Sequence, residues 1–504
     1  MLSIPDGVGD LNGWQQSVGL GWAKVLADSV AGTDEVTAAP AAARVRDFVV
    51  YPSTDDGQAL WVNESLKRAG NPVRYAPGNG WLMLDHGVWQ SVSEWRIRGE
   101  VQRVARDDHR VAAVKRTYTR NDPADLVQTD QTAIAYQSVS RVDGVMKTLP
   151  GLPEVFVEDH KLDAHPDVLA ALNGVIDLRT GENLGYRPDL LLTKRVNFDY
   201  DPDAKAPRWQ ALLEEALPHD GLVDYLQTLI GYGITGRTTE QIFAIFHGTG
   251  ANSKSTVTDT LGQVFSEFTG YPSMTSFTGK REAGAASDDL ASLRGVRLAL
   301  TNEADDGVRL DEAKIKELTG DTEITARHLH QSQFTFRPEF LIVMATNYKP
   351  ALRGIDEALW RRIHMVPWTA FIPQERRIQG LANKIVEEEA SGILTWAVQG
   401  AAKWYQHKLD VPAVVRQATA EYRRESDPLH GYIGDVIVLA PGEAPLQELY
   451  DKYLVWCDAE GDIPDRRRMG KRKLKTELLA RGAKEEGRKG GKGNAMYLSG
   501  VRVV

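Results

Sequence analysis

The stretch from Ile242 to Ser255 constrains the fold more than any other part of the chain. It reads IFAIF, then His247, then GTGANSKS, so an apolar strand runs into a loop with two glycines and on into a helix that begins near Lys254. Gly248 and Gly250 allow backbone N–H groups to point inward around an anion, and the helix start adds the positive end of its dipole. This order of strand, loop and helix is typical of a phosphate-binding loop.

The loop predicts a site for ATP and Mg²⁺. Lys254 would reach the terminal phosphates, and Ser255 would ligate magnesium. Ser253 stands where the general motif has glycine, and a serine suits that position only if its backbone is not confined to the conformations of glycine. A glycine-containing turn with a surface lysine is the alternative. The residues predicted to contact the nucleotide are Gly248, Thr249, Gly250, Ala251, Asn252, Ser253, Lys254, Ser255 and Thr256.

Two further apolar runs predict buried strands that end in polar residues. VRLALT at 296–301 is followed by Asn302 and Glu303, and FLIVMATN at 340–347 ends in Asn347. Ligands of open α/β sheets bind at the carboxyl ends of the strands. We therefore expect Glu303 to face the magnesium and polarise the attacking water, and Asn347 to hold that water or the γ-phosphate. The alternative for Glu303 is an ordinary exposed acid at a strand end.

A pair of arginines follows in LWRRIHMVPW. Arg361 or Arg362 could act as an arginine finger, a guanidinium that reaches a neighbouring subunit's nucleotide and stabilises the charge of the transition state. Taken singly, an arginine pair before an apolar strand is more often a salt-bridged face.

Two segments offer cations to nucleic acid. The segments 323–329 and 334–338 flank a polar turn and predict a β-hairpin that carries Arg327, His328 and His330 toward DNA phosphates, with an ordinary surface hairpin given equal weight. The run from 466 to 492 has twelve cations and three anions in a chain whose net charge is -9. A solvated tail is the alternative to DNA binding there. The DNA contacts predicted in this run are Arg467, Arg468, Lys471 and Lys473.

Composition sets the remaining bounds. A chain of 504 residues is too long for one hydrophobic core, and 42% hydrophobic with 26% charged residues is ordinary for globular proteins. No apolar run approaches the roughly 20 residues that cross a bilayer, and the N-terminus lacks a secretory pattern. These features predict a cytoplasmic protein without a membrane partner. The single cysteine, Cys457, excludes an internal disulfide and the paired-cysteine zinc motifs.

The chain resembles the phage and plasmid primase–helicases, a family of superfamily 3 helicases related to poxvirus and satellite-phage replication proteins. The likeness extends from about Arg74 to the end. Besides the phosphate loop, it rests on NGVIDLRTG at Asn173, YLQTLIGYGITGRTTEQ at Tyr225, NEADD at Asn302, KELTGDTEITAR at Lys316, MATNYKP at Met344 and DEALWRRIHMVP at Asp356.

The resemblance implies a hexameric ring that hydrolyses ATP between subunits and pulls single-stranded DNA through its centre. By matching position, the motor residues are Lys254, Ser255, Glu303, Asn347 and Arg362. Ser253 departs from the family pattern, and so does Gly320-Asp321-Thr322, where relatives have Gly-Gly-Asp. The second departure affects how the hairpin is coupled to the nucleotide.

The expected fold class is α/β, with an AAA+-like P-loop ATPase core flanked by a helical collar, an N-terminal α+β domain and a C-terminal winged-helix module. Because DGVGDLNGW at Asp6 resembles the tail of a primase domain, we expect the primase to be absent or a separately encoded partner. The predicted segments are 1–120 (primase-like tail and hairpins), 121–235 (collar), 236–375 (ATPase core), 376–435 (helical) and 436–504 (basic winged helix).

The leading hypothesis is an ATP-dependent replicative helicase of a phage or similar mobile element, acting on single-stranded and forked DNA. A nucleotide-gated module that binds an origin or loads partners without processive unwinding is the first alternative. A primase that retains synthesis activity is the second.

Overall fold

The computed structural model describes most of the chain, in nine stretches. They are residues 54–118, 135–278, 285–302, 308–320, 323–327, 333–352, 356–459, 468–486 and 496–504. The chain divides into two compact units. The first is Met1–Asp177 with Glu182–Tyr200, and the second is Leu178–Gly181 with Asp201–Val504.

The first unit combines helices with two small antiparallel sheets. Its elements are α1 (Asp55–Arg68), β1 (Val73–Ala76), β2 (Gly80–Asp85), β3 (Val88–Ser91), α2 (Glu94–Tyr118), α3 (Val139–Thr148), β4 (Val168–Ala171) and β5 (Gly174–Asp177). Strands β1, β2 and β3 form a meander, and β4 pairs with β5. The Thr54 side chain caps α1, because it accepts a hydrogen bond from the Gly57 amide. Apolar side chains of the three helices and of the meander share one core.

The larger part of the second unit is a parallel α/β fold. Its elements are α4 (Pro207–Ala216), α5 (Leu222–Ile234), β6 (Phe243–His247), α6 (Lys254–Val264), β7 (Thr269–Gly270), α7 (Ala285–Ala291), β8 (Leu298–Asn302), α8 (Glu312–Thr319), β9 (Ile324–Ala326), β10 (Phe334–Phe336), β11 (Leu341–Thr346), α9 (Glu357–Trp360), β12 (Ile363–Pro367), α10 (Leu381–His407) and α11 (Ala413–Ser426).

Five of these strands form one parallel sheet, in the order β12-β6-β11-β8-β7. Strand β11 reads LIVMAT and is buried along its whole length, because helices cover both faces of a parallel sheet. All five strands point the same way, so their carboxyl ends meet at one edge. The predicted α/β class is confirmed, and the three strands expected to carry the site, β6, β11 and β8, are neighbours.

Helices α5 and α10 pack closely, backbone against backbone, at Gly231 and Gly400. A Cβ added at Gly231 would lie 2.1 Å from the backbone of Gly400 and Ala401, and one at Gly400 would lie 2.1 Å from the Gln227 carbonyl oxygen. Edge-to-face or tilted ring pairs flank this contact, including Tyr232 with Trp404 at 5.0 Å. The glycines therefore set how close α10 comes to the sheet and to the site beside it.

The end of the chain forms a small module with its own core. Its elements are α12 (Tyr432–Asp435), β13 (Ile437–Val438), β14 (Glu443–Pro445), α13 (Leu446–Ala459), α14 (Lys471–Ala480), β15 (Lys484–Glu486), β16 (Tyr497–Ser499) and β17 (Arg502–Val503). Strand β16 lies between β14 and β15, antiparallel to both. The predicted wing tip, 487–493, lies outside the described residues.

Strand β5 has the predicted turn after it and one pairing that the sequence did not predict. The turn residues at 179–181 predict that the run 175–178 folds back on the segment after them, and β5 also pairs with the preceding strand β4, through a turn at Leu172 and Asn173. Across the later turn Ile176 bridges Asn183, and the Asp177 and Leu184 amides donate hydrogen bonds to the Glu182 and Val175 carbonyl oxygens, so the predicted turn is present as well. The hairpin expected around 323–338 is present as β9 and β10.

Candidate functional site

The loop between β6 and α6 has a backbone shape suited to an anion. Gly250, Ala251 and Ser253 have φ of 99°, 53° and 62°, all in the left-handed region. Left-handed residues interspersed with ordinary ones turn successive N–H groups toward one centre, which makes a concavity for an anion. From the sequence, a serine was suitable at position 253 only if its backbone did not need a glycine conformation. Ser253 nevertheless has the left-handed conformation that favours glycine. Strain of this kind collects at functional sites.

The side chain of Lys254 lies inside this loop. Its residue is 5% exposed, and the ammonium donates hydrogen bonds to the Gly248 carbonyl oxygen at 2.7 Å, to Asn252 Oδ1 at 3.0 Å and to Asn347 Oδ1 at 3.0 Å. A buried cation is stable only where oxygens or anions surround it. The loop and the residue after β11 thus supply neutral oxygens around one positive charge.

Strand register explains why Asn347 reaches the loop. Strand β11 lies beside β6, with Thr346 opposite His247, so Asn347 comes level with the start of the loop. On its other side β11 lies beside β8, with Ala345 opposite Asn302. Glu303 itself lies outside the described residues, but the strand that it follows ends at this same edge.

Contacts with the segment after β12 hold the loop in place. The side-chain amide of Asn252 donates to the Trp368 carbonyl oxygen at 3.1 Å, and the backbone amide of Ile372 donates to the Ala251 carbonyl oxygen at 2.7 Å. A Cβ at Gly248 would lie 2.1 Å from the Trp368 carbonyl oxygen, so only glycine fits there. These contacts offset part of the strain in the loop.

A cavity of about 1350 Å³ opens beside the loop, bounded by α4, by α10 and by the ends of β11. Two ion pairs border it: Arg208 with Glu388 at 2.7 Å and Arg376 with Glu215 at 2.6 Å. The lining carries five cations and two acids, which favours an anionic ligand. These side chains are Arg208, Lys254, Arg376, Arg377 and Lys384 against Glu215 and Glu388.

Buried Glu389 fixes the helix that forms one wall of this cavity. Its carboxylate accepts hydrogen bonds from the Arg208 and Trp209 amides, each at 2.9 Å, at the first turn of α4. A carboxylate at a helix N-terminus satisfies free amides and complements the helix dipole. Nothing in the sequence distinguishes this residue, because it is one of three consecutive glutamates in α10.

His247 borders the loop as the last residue of β6. Burial first, and then the nearby cations Lys349 and Lys254, lower the pKa of His247. Each of these effects disfavours the imidazolium, so the ring is neutral at pH 7. The positive charge beside the loop therefore comes from lysine and not from histidine.

Arg361 and Arg362 lie near the amino ends of the sheet strands, away from the carboxyl ends that carry the loop. They precede β12, in which Ile363 is level with Phe243 at the start of β6 and Pro367 is level with His247 at its end. Five strand residues span about 17 Å, which exceeds the reach of one side chain. Neither arginine can therefore contact the loop of its own chain.

The other predicted residues are distributed over separate places. Ser255 and Thr256 lie in the first turn of α6 and line the cavity. Arg327 is exposed at the end of β9, whereas His328 and His330 lie outside the described residues. Arg467 lies outside them too. The remaining predicted cations, Arg468, Lys471 and Lys473, precede α14 or belong to its first turn.

The described residues lack two features that would point to other functions. In those stretches no cluster of three or more His, Cys, Asp and Glu side chains is arranged to hold a metal ion. Within the same stretches no helix has the length and apolar character needed to cross a membrane.

The site defines the chain as an α/β protein with a polar, cationic pocket at the carboxyl ends of a parallel sheet. Known proteins that are similar to the chain indicate which α/β proteins it is related to. Residues 62–218 match the family described as "D5 N terminal like", and residues 246–362 match a family of unknown function, DUF5906. The second match extends from the last residues of β6 to Arg362.

Several viral proteins are similar to this chain. "Putative helicase L207/L206" of Acanthamoeba polyphaga mimivirus is 26% identical over 298 residues, 55% of this chain and 31% of the relative. "Putative helicase 184R" of Invertebrate iridescent virus 6 is 22% identical over 62% of this chain and 36% of its own. "Putative primase C962R" of African swine fever virus is 23% identical over 60% and 34%. The chain spans about a third of the length of these relatives.

Among solved structures, the apo structure of the NrS-1 C terminal region is similar at a TM-score of 0.47 and 11% identity, covering 88% of this chain and 99% of that one. The domain matches and the viral relatives show that this chain is similar to viral putative helicases and primases, and they support the resemblance to the phage and viral primase–helicases.

Proposed function

We propose that this chain is an ATP-dependent replicative DNA helicase of a phage or similar mobile element, which acts as a homo-hexameric ring that translocates on single-stranded DNA. One observation carries the proposal. Lys254 is buried between a loop with an anion-binding backbone and Asn347, at the edge of the sheet where ligands of α/β proteins bind.

A P-loop role for residues 248–256 follows from this arrangement. The loop N–H groups and the Lys254 ammonium would hold the phosphates of ATP, with the ammonium exchanging neutral oxygens for charged ones. The cavity beside α4 and α10 has room for the nucleoside, and its excess of cations suits a triphosphate. Asn347 would orient the attacking water or the γ-phosphate, since its amide already lies at the ammonium.

Magnesium fits the donors that the chain offers. Mg²⁺ in proteins is held by one or two side-chain oxygens together with phosphate oxygens and water, and when bound it neutralises charge on the phosphates. Ser255, which lines the cavity in the first turn of α6, and Glu303, which follows β8, are the residues we assign to it. Glu303 would in addition polarise the water.

The position of the arginine pair supports a proposal of assembly. Because Arg361 and Arg362 lie near the amino ends of the sheet strands, far from the loop of their own chain, they could assist hydrolysis only at a neighbouring chain's nucleotide. A ring of identical chains brings that edge of one chain to the loop of the next. This geometry supports a homo-oligomer with sites between subunits, and the hexamer is the form that the family resemblance implies.

DNA contacts are proposed in two places. The β9–β10 hairpin carries Arg327 and would contact the strand in the ring. The C-terminal module has the order strand, helix, helix and two-stranded hairpin, which is compatible with a winged helix, and Lys473 is exposed on α14. The names of the viral relatives agree with a nucleic-acid substrate. A separately encoded primase remains the expected partner.

The test is strand displacement from a forked duplex, run alongside ATP hydrolysis. Wild type should unwind the fork only with ATP and Mg²⁺, and both Lys254→Ala and Asn347→Ala should lose unwinding and turnover. Lys349→Ala is the matched control, because this lysine follows Asn347 by two residues and pairs with Glu425 at 2.6 Å. Unwinding by Lys254→Ala at the wild-type rate would contradict the proposal.

The same experiment addresses the nucleotide-gated loader. A loader would bind DNA and hydrolyse ATP but displace no strand at any enzyme concentration, so ATPase without unwinding would favour it. Oligonucleotide synthesis on a single-stranded template would favour the primase alternative.

A further inference from the structure

The two adjacent arginines before β12 have opposite surroundings. Arg361 is exposed, and its guanidinium donates a hydrogen bond to Gln241 Oε1 at 3.2 Å. Arg362 is 7% exposed, and its Nε donates to the hydroxyl of Thr319 at 3.2 Å while a terminal nitrogen donates to the Ala358 carbonyl oxygen. One guanidinium is therefore at the surface and the other is part of the interior.

Moving Arg362 to reach another molecule would be costly. Its guanidinium would leave two hydrogen bonds, and the Thr319 oxygen and the Ala358 carbonyl would lose their donor. Hydrogen bonds to charged groups are stronger than those between neutral groups, and an acceptor left without its donor adds to the loss. Arg361 gives up only an exposed bond to a glutamine side chain, which water replaces. Of the two, Arg361 is the side chain that a neighbouring anion can recruit.

The contacts of Arg362 join two helices. Thr319 is the last residue of α8, and its own hydroxyl donates to the Ile315 carbonyl oxygen at 2.7 Å. A second link, between Lys316 and Asp356, joins the same two helices, and the Asp356 carboxylate also caps α9. Apolar residues of α8 and α9 share one core. Helix α9 and Arg362 are therefore held against the end of α8.

The end of α8 lies four residues before the β9–β10 hairpin. Residues 320–323 are the whole connection between Thr319 and β9. Arg362 and Thr319 thus connect α9 to the end of α8, the element that precedes the hairpin in the chain. Packed side chains and hydrogen bonds of this kind can carry coupling between two sites.

We propose that Arg361 contacts the nucleotide of a neighbouring copy, and that Arg362 is a positioning residue which transmits this contact through Thr319 to the DNA-facing hairpin. The inference rests on the proposed function, since it assigns two parts to an arginine pair that a ring ATPase would present. It changes the assignment made from the sequence, in which Arg362 matches the family's finger position.

The experiment compares four variants in ATPase assays with and without single-stranded DNA. Arg361→Ala should lower turnover roughly 1000-fold in both conditions while ATP binding is unchanged. Arg423→Ala is its control, because this arginine pairs with Glu357 of α9 at 2.8 Å, and it should keep turnover within about twofold of wild type.

Thr319→Val and Thr319→Ser test the coupling without altering either arginine. Valine removes the hydroxyl at nearly equal volume, so it should keep basal ATPase within about threefold and lose most of the stimulation by DNA and the unwinding. Serine keeps the hydroxyl and should restore the stimulation. Thermal unfolding of both variants shows whether the fold persists. If Thr319→Val does not fold, the coupling is judged on Thr319→Ser, in which a loss of the stimulation by DNA would contradict it. Arg361→Ala still tests the nucleotide contact.

The outcomes separate this inference from the proposed function. If wild type hydrolyses ATP and unwinds DNA while Arg361→Ala is fully active, the assignment of Arg361 is wrong and the helicase proposal stands. Full DNA stimulation in Thr319→Val would overturn the coupling through Arg362. A wild type that neither binds nor hydrolyses ATP would instead contradict the proposed function itself.

Discussion

Replacing Ser253 by glycine should stabilise the second unit, although the change lies in the proposed active site. Ser253 has φ of 62° and ψ of 12°, a left-handed conformation that costs a residue with a Cβ roughly 1–2 kcal/mol. Glycine removes that cost but adds about 0.5–1 kcal/mol of backbone entropy to be lost on folding. The free energy of unfolding should therefore rise by about 0.5–1 kcal/mol.

Ser255→Gly provides a control of the same chemistry two positions away. Ser255 lies in the first turn of α6, where glycine is less favourable than serine by about 0.5 kcal/mol. The two variants should thus change stability in opposite directions. The assay is urea denaturation without nucleotide, and far-ultraviolet circular dichroism monitors the unfolding. A Ser253→Gly protein that is destabilised as much as Ser255→Gly would refute the claim that the loop is strained.

Three further predictions concern the parts that hold the site in place. Glu389→Ala should lower the free energy of unfolding by about 3 kcal/mol, since two charge-assisted hydrogen bonds to α4 amides are lost. Its control, Glu388→Ala, removes an exposed ion pair and should cost less than about 1 kcal/mol in the same denaturation assay. Gly231→Ala should destabilise by roughly 3 kcal/mol or more, because its Cβ would meet α10 backbone at 2.1 Å; a thermal shift under 2 °C would contradict this. Burial lowers the pKa of His364 to about 4, from 6.5, so the unfolded chain takes up the proton first as the pH falls. The contribution of His364 to stability is complete above pH 6.5 and is lost toward pH 4, up to roughly 3 kcal/mol, and His364→Gln should flatten the dependence of unfolding on pH.

The sheet strands that carry the site could be predicted from the sequence, because each is an uninterrupted apolar run followed by a polar residue. The runs 242–246, 296–301 and 340–347 correspond to β6, β8 and β11 within two residues at each end. Their adjacency explains the meeting of Lys254 and Asn347. The edge strand β7 has two residues and leaves no periodic signal.

Other features depend on tertiary contacts that a pattern cannot convey. The left-handed Ser253 contradicts its local preference, and packing of the loop on the segment after β12 is what maintains it. The pairing of β5 with β4 was missed because the later turn has the stronger turn residues, while Gly174, with φ of 148°, permits the earlier one. Arg361 and Arg362 are identical in sequence terms, and only the structure separates their surroundings.

The most direct test of the nucleotide site is calorimetric titration of the chain with a non-hydrolysable ATP analogue and Mg²⁺. Binding at one site per chain is predicted for wild type, and Lys254→Ala should weaken it roughly 10- to 100-fold, the equivalent of losing one hydrogen bond to a charged group. Equal affinity in wild type and Lys254→Ala, or no binding to a folded wild type, would contradict the account.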